Sequence, residues 1–272
     1  MPLAGPRPRH CSRRRWTRRR RSARSCQQRV LLMDRALLRF PGNLEARDEL
    51  GSAWICTRQL NFSVVVPSLQ RPVEALRASQ TAEDVYLALL RDEPSSYVNA
   101  NQLGTIAGAR MIILQVQDRV DEAVAQGRRA VSSKQAAFKL ALNNMGVRNI
   151  LAVGSNNFGN LLLEAGLIDE ALSATTRSQY ALHALVRDDA NVRRWAILRS
   201  LFAMNHGRAL LAAGRPLEAV PPPRESIAEI ASAASGGTVR RRGWARWVLA
   251  QALMVACQPL AAATEVEVAL QD

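Results

Sequence analysis

The chain has 272 residues, 48% hydrophobic, 5% aromatic and 22% charged, with a formal net charge of +14. That length accommodates one large domain or two small ones, and the composition excludes a chain disordered throughout, a collagen, a disulfide scaffold and a polytopic membrane protein. The charge is uneven, because residues 1–29 hold eleven arginines and no acid, so the rest of the chain carries only +3.

The first segment, residues 1–29, has no helical periodicity and reads as a disordered Arg-rich tail. Its clusters at 13–15 and 18–21, interrupted by Trp16, have the make-up to neutralise phosphates and stack a base on the indole. A basic arm, a targeting segment and a stretch upstream of a true start at Met33 all remain open for it. No secretory signal is expected, since the Arg block runs into Val30-Leu31-Leu32-Met33 and then Asp34-Arg35, which cuts off an apolar core. The most apolar stretch, 247–263, is too short and too polar to span a membrane, so the expectation is a bacterial, cytoplasmic chain with no membrane partner. Cys11, Cys26, Cys56 and Cys257 are scattered without metal or redox spacing and read as reduced thiols.

From about residue 30 the chain reads as a helical repeat. Residues 159–171 (GNLLLEAGLIDEA) and 207–219 (GRALLAAGRPLEA) align without a gap, 48 residues apart. Small residues recur at fixed points: Ala123 and Ala130; Gly159, Gly166, Ala171 and Ser178; Gly207, Gly214, Ala219 and Ser226; Ala250, Cys257, Ala262 and Ala269. A second landmark, the loops 38–43, 90–95 and 186–191, places Asn43, Ser95, Asn143 and Asn191 at the unit starts. The units therefore run near 43–94, 95–142, 143–190, 191–234 and 235–272, the first lengthened by about four residues between Asn43 and Glu74, roughly one helical turn.

Each unit reads as two antiparallel helices, with an Asx or Ser N-cap before and a Gly after the first. The small positions mark helix crossings, where a larger side chain forces the axes apart. Pro221-Pro222-Pro223 falls just inside a second helix and predicts a break there.

This pattern resembles the tetratricopeptide repeat (TPR), well over residues 100–272 and loosely over 35–99. Met111, Asp118 and Cys257 depart from it at glycine positions. The long period is similar to TPR regions that lie C-terminal to the catalytic domain in some bacterial serine/threonine protein kinases. The resemblance implies an all-α fold, a right-handed α-solenoid of stacked helix pairs with about 48 residues per unit. It does not carry a kinase activity: the chain has no G-x-G-x-x-G loop, V-A-I-K lysine, H-R-D or D-F-G.

No other enzyme motif is present, and His10, His183 and His206 lack metal or nucleophile spacing, so no catalytic residue, cofactor or metal is expected. What the resemblance implies instead is a groove lined by the first helices, with partner contacts at Asn157, Asn160, Asn205, Arg208 and Gln251. The basic pair of a carboxylate clamp is incomplete, with Ala109, Ile112 and Val248 in its places, and Ile112 suits a partner helix instead. The expected function is a non-catalytic scaffold that binds a peptide or helix of a protein partner. The alternatives are nucleic-acid association through the Arg-rich tail, or a regulatory region of a serine/threonine kinase system.

Overall fold

The computed structural model describes residues 10–64, 68–189, 193–232 and 238–271, and every regular element among them is an α-helix. The chain divides into two compact units, Met1–Gln126 and Gly127–Asp272, with the division inside one helix.

The first unit holds α1 (His10–Arg39), α2 (Leu44–Asn61), α3 (Pro72–Asp92), α4 (Tyr97–Val116) and the start of α5 (Val120–Leu140). Here α1 packs on α2, α2 on α3 and α3 on α4. The disordered reading of 1–29 is corrected from His10 onward, because α1 begins there; residues 10–39 contain no Gly or Pro, and Arg, Ala, Gln and Leu all favour helix. The remainder of that tail, 1–9, lies outside the described residues. The reduced-thiol reading is also corrected for two residues: Cys26 and Cys56, their Cα atoms 6.0 Å apart, join α1 to α2 in a disulfide. Cys257 is an exposed free thiol.

The second unit continues with α6 (Met145–Glu164), α7 (Ile168–Asp188), α8 (Arg193–Ala212), α9 (Pro216–Ala219), α10 (Pro221–Ser232), α11 (Thr238–Val255) and α12 (Pro259–Gln271). Here α6 packs on α7, α7 on α8, α8 on α10, α10 on α11 and α11 on α12, while α8 also touches α6 and α11. The break between α9 and α10 falls at Val220, where three consecutive prolines remove the N–H groups that would bond back to residues 217–219. Asn191 and residue 235, placed at unit starts, lie outside the described residues.

The repeat register is written most clearly in the backbone. Gln70, Asp118, Gly166, Gly214 and Cys257 all have positive φ, between 57° and 73°, at intervals of 48, 48, 48 and 43 residues. Each ends the turn between the first and second helix of its pair. In the last four, the next residue's N–H reaches back over that turn: Arg119 to Leu114 O, Leu167 to Leu162 O, Arg215 to Leu210 O and Gln258 to Leu253 O, at 2.8 to 3.0 Å. This is a Schellman-type C-cap, which satisfies a terminal carbonyl and buries the leucine beneath it. The extra length of the first unit lies between the end of α2 at Asn61 and the start of α3 at Pro72, while α2 is slightly shorter than α4 or α6.

The N-caps are Asn43, Ser96 and Asn144, whose side chains accept from Ala46, Asn99 and Val147 N–H. Two of them fall one residue later than the sequence landmark placed them. The recurring loop acid also has a structural reason: Arg47, in the first turn of α2, grips Asp92 at the end of α3 and the Pro41 carbonyl. Arg148 of α6 repeats this with Asp188 of α7 and the Leu142 carbonyl.

The small positions within the helices are mostly buried where helices cross, whereas Gly166, Gly214 and Cys257 are exposed turn residues and Ala269 is half-buried. Ala123, Ala171 and Ala219 are fully covered, as is Ser178, and Ala130, Ser226, Ala250 and Ala262 nearly so. A β-carbon on Gly159 would stand 2.7 Å from Thr175 Cγ2, and one on Gly207 3.0 Å from Pro223 Cδ. The second unit's core clusters around Leu182, Leu185 and Phe202 and around Leu249 and Leu253; the first unit's clusters around Tyr86 and Leu89. Among the described residues no helix is long and apolar enough to cross a membrane.

Candidate functional site

Three first helices of the second unit, α6, α8 and α11, lie side by side and carry four of the polar residues expected to meet a partner together with Gln251. Asn160 Oδ1 accepts a 3.4 Å hydrogen bond from Arg208 Nη1, and the Arg208 guanidinium lies 5.9 Å from the ring centre of Trp244. A line from α6 through α8 to α11 is thus built from an amide, a guanidinium and an indole, the last pair a cation–π contact. Asn157 is exposed beside it on α6, and Gln251 is exposed on α11.

Asn205 is a correction. Its side chain is 2% exposed, and its Nδ2 donates at 3.0 Å to Oδ1 of Asn156, which is wholly buried. This amide pair holds α6 to α8 and has no surface to offer a partner; a buried amide left unpaired would cost stability, so the two are structural. The adjacent asparagines on α6 split their duties: Asn156 faces α8 and Asn157 faces solvent.

Residues that the sequence reading did not single out complete the face. On α11, Trp244, Trp247 and Met254 are 50%, 54% and 58% exposed, at i, i+3 and i+10 around Gln251 at i+7. With 100° per residue these four share an arc of about 80°, opposite the buried Leu249 and Leu253. On α8, Ile197 and Leu201 are partly exposed in line with Arg208. The signal was available in the register, since Trp244 and Trp247 sit two turns and one turn before Gln251. Ile112, suggested as a groove residue in the first unit, is half-buried on α4.

Three helices of this unit carry charges of one sign. α8 and α11 carry four arginines each and no acid, whereas α12 carries Glu265 and Glu267 and no base. Arg148 and Arg246 are committed to ion pairs with Asp188 and Glu265. Arg208 meets an amide oxygen and a ring instead of a carboxylate. His206, next to the Asn205 pair, is bonded to Thr175 Oγ1 through Nδ1 at 3.2 Å; burial, aided by Arg215, holds its pKa below the usual histidine value. His183 borders a cavity of about 300 Å³ with Gln179, Arg199 and Glu225. Among the described residues no group of His, Cys, Asp or Glu is placed to hold a metal ion.

No protein-family model and no curated protein matches this chain. The fold does match solved structures. One is the crystal structure of BtubC (BKLC) from P. vanneervenii, with a TM-score of 0.60 over 93% of this chain and 90% of that one, at 15% identity. At that identity the likeness concerns the helical architecture alone.

Proposed function

We propose that the chain is a non-catalytic protein-interaction scaffold, a TPR-like right-handed stack of helix pairs that binds a peptide or helix across α6, α8 and α11. The observation that carries this reading is the exposed face of α11, where two tryptophans and a methionine stand in solvent beside Arg208. Trp and Arg are the side chains that most often anchor a protein interface, and such a patch is costly to leave bare. Asn157, Asn160 and Gln251 ring it with donors and acceptors suited to a peptide backbone.

Capture from native lysate by the immobilised full chain, after nuclease treatment and at low and moderate salt, tests the reading. A specific protein should be retained, and should be lost with Asn157→Ala plus Arg208→Glu while the melting curve stays unchanged. Full retention by that variant would remove the site from this face. The second reading is nucleic-acid association through α1, favoured by its run of arginines with Asp34 as its one acid. It predicts the reverse pattern: nucleic acid as the retained species, released steeply between about 50 and 200 mM salt.

A further inference from the structure

The occupant of this face is constrained by what surrounds it. Trp244, Trp247 and Met254 lie along one side of α11 over ten residues, about 15 Å, the length of nearly three turns of a helix laid against it. Apolar side chains spaced this way accept the apolar stripe of an amphipathic helix. The two helices that carry the patch supply only bases to its rim, Arg208 on one side and exposed Arg241 one turn before Trp244, with no acidic residue anywhere on α8 or α11; α6 adds a single acid, the exposed Glu164, one turn beyond Asn160. A basic segment, the chain's own Arg-rich α1 included, would be repelled.

We infer that this face takes an acidic amphipathic helix of a partner protein, apolar residues on Trp244, Trp247 and Met254 and carboxylates at Arg208 and Arg241. This rests on the scaffold reading and names the chemistry of its partner. A phosphate backbone is the poorer fit. It needs a continuous track of cations, whereas here ion pairs already hold Arg148 and Arg246, and the centre of the face is apolar. Carboxylates flanking a short apolar stripe match a few cations around an apolar centre, and bidentate pairing with the planar guanidinium favours them further.

The test uses the full chain and two fluorescein-labelled helical peptides of about 20 residues with the same leucine stripe at i, i+3, i+7 and i+10, one flanked by Glu and the other by Lys. Anisotropy at low and moderate salt is read beside tryptophan emission, with an oligo-dT probe and sedimentation of the protein alone. The Glu peptide should bind at least about tenfold more tightly than the Lys peptide. Trp247→Ala should weaken it by a further tenfold or so, and Arg208→Glu should reverse the preference, both variants keeping the parental melting curve. Equal binding of the two peptides would overturn the acidic partner while leaving a helix-binding scaffold standing. Tighter binding of oligo-dT would assign the face to nucleic acid, and a dimer dispersed by Trp247→Ala would assign it to a second copy; either result sinks the inference. So does failure of every probe on a monomer, the scaffold itself then being judged by the capture experiment above.

Discussion

In the first unit two polar links between helices are closed off from solvent, while Arg29–Glu49 and Arg47–Asp92 lie at the surface. Glu83 of α3 and Arg110 of α4 pair with side-chain exposures of 7% and 18%, and Tyr86, fully buried, lies over Gly51 with its hydroxyl 3.2 Å from Ser52 Oγ. A β-carbon on Gly51 would stand 2.6 Å from the Tyr86 ring, so the aromatic is seated directly on α2. In the second unit the links start from the buried pair Asn156 and Asn205, run outward through Asn160 and Arg208, and end on exposed indoles. The first unit keeps these two links inside, whereas the second carries a chain of polar contacts from its interior out to solvent. The contrast teaches that a repeat can keep one packing scheme while its polar contacts differ in how far they reach toward solvent.

The largest effect that would sharpen this contrast is expected in the first unit. Glu83→Ala leaves Arg110 buried without its carboxylate and should cost about 3 to 5 kcal/mol in denaturant unfolding, with most of the loss recovered when both become apolar. In the second unit, Ala171→Leu or Ala219→Leu should each cost about 1 to 3 kcal/mol by overpacking a helix crossing. If both melt like the parent, the crossing points are misplaced.

Lys134 offers an effect of the opposite sign. It is 8% exposed, its Nζ lies 2.8 Å from where a Gly154 β-carbon would be, and burial pushes its pKa down to about 8 from 10.5. At pH 7 the amine is charged in both states, and the folded state carries the desolvation cost in full. As pH rises from about 8 toward 10.5 the folded protein sheds this proton before the unfolded chain does, so this residue's contribution to stability rises across that window. Lys134→Met should raise stability at pH 7 by about 1 to 3 kcal/mol and flatten the alkaline limb of the profile. The smallest effect is expected at His206, held below 6.5 by burial. Protonation there favours the unfolded chain, so stability should fall as pH drops through 6.5, and His206→Gln should reduce that dependence.

Much of the architecture was legible because helix crossings constrain side-chain size. Ala171, Ala219, Gly159 and Gly207 declare themselves by being small, and they are buried where the spacing put them. The proline break declared itself through missing donors at 221–223. Caps were less legible, since Ser95-Ser96 and Asn143-Asn144 each offer two competent residues and only the backbone decides between them. The candidate site was half legible. The spacing named Asn160 and Arg208, which the structure brings together, but Asn156 and Asn157 differ in facing by 100°, which a spacing rule uncertain by one residue does not resolve. Trp244 and Trp247 were passed over because aromatics on a helix ordinarily signal core. The helix of residues 10–39 was hidden by charge, which masks periodicity without preventing the backbone from coiling.

Five turns share one left-handed residue, and five different requirements on its chemistry are absent: the position is filled by Gln, Asp, Gly, Gly and Cys. What recurs there is a torsion angle. Natural variation at 70, 118, 166, 214 and 257 should therefore drift freely among side chains that tolerate this angle, with Gly, Asn and Asp favoured and the β-branched residues excluded. A deep mutational scan should show the same tolerance profile five times over, a likeness that comparison of the repeats by residue identity overlooks.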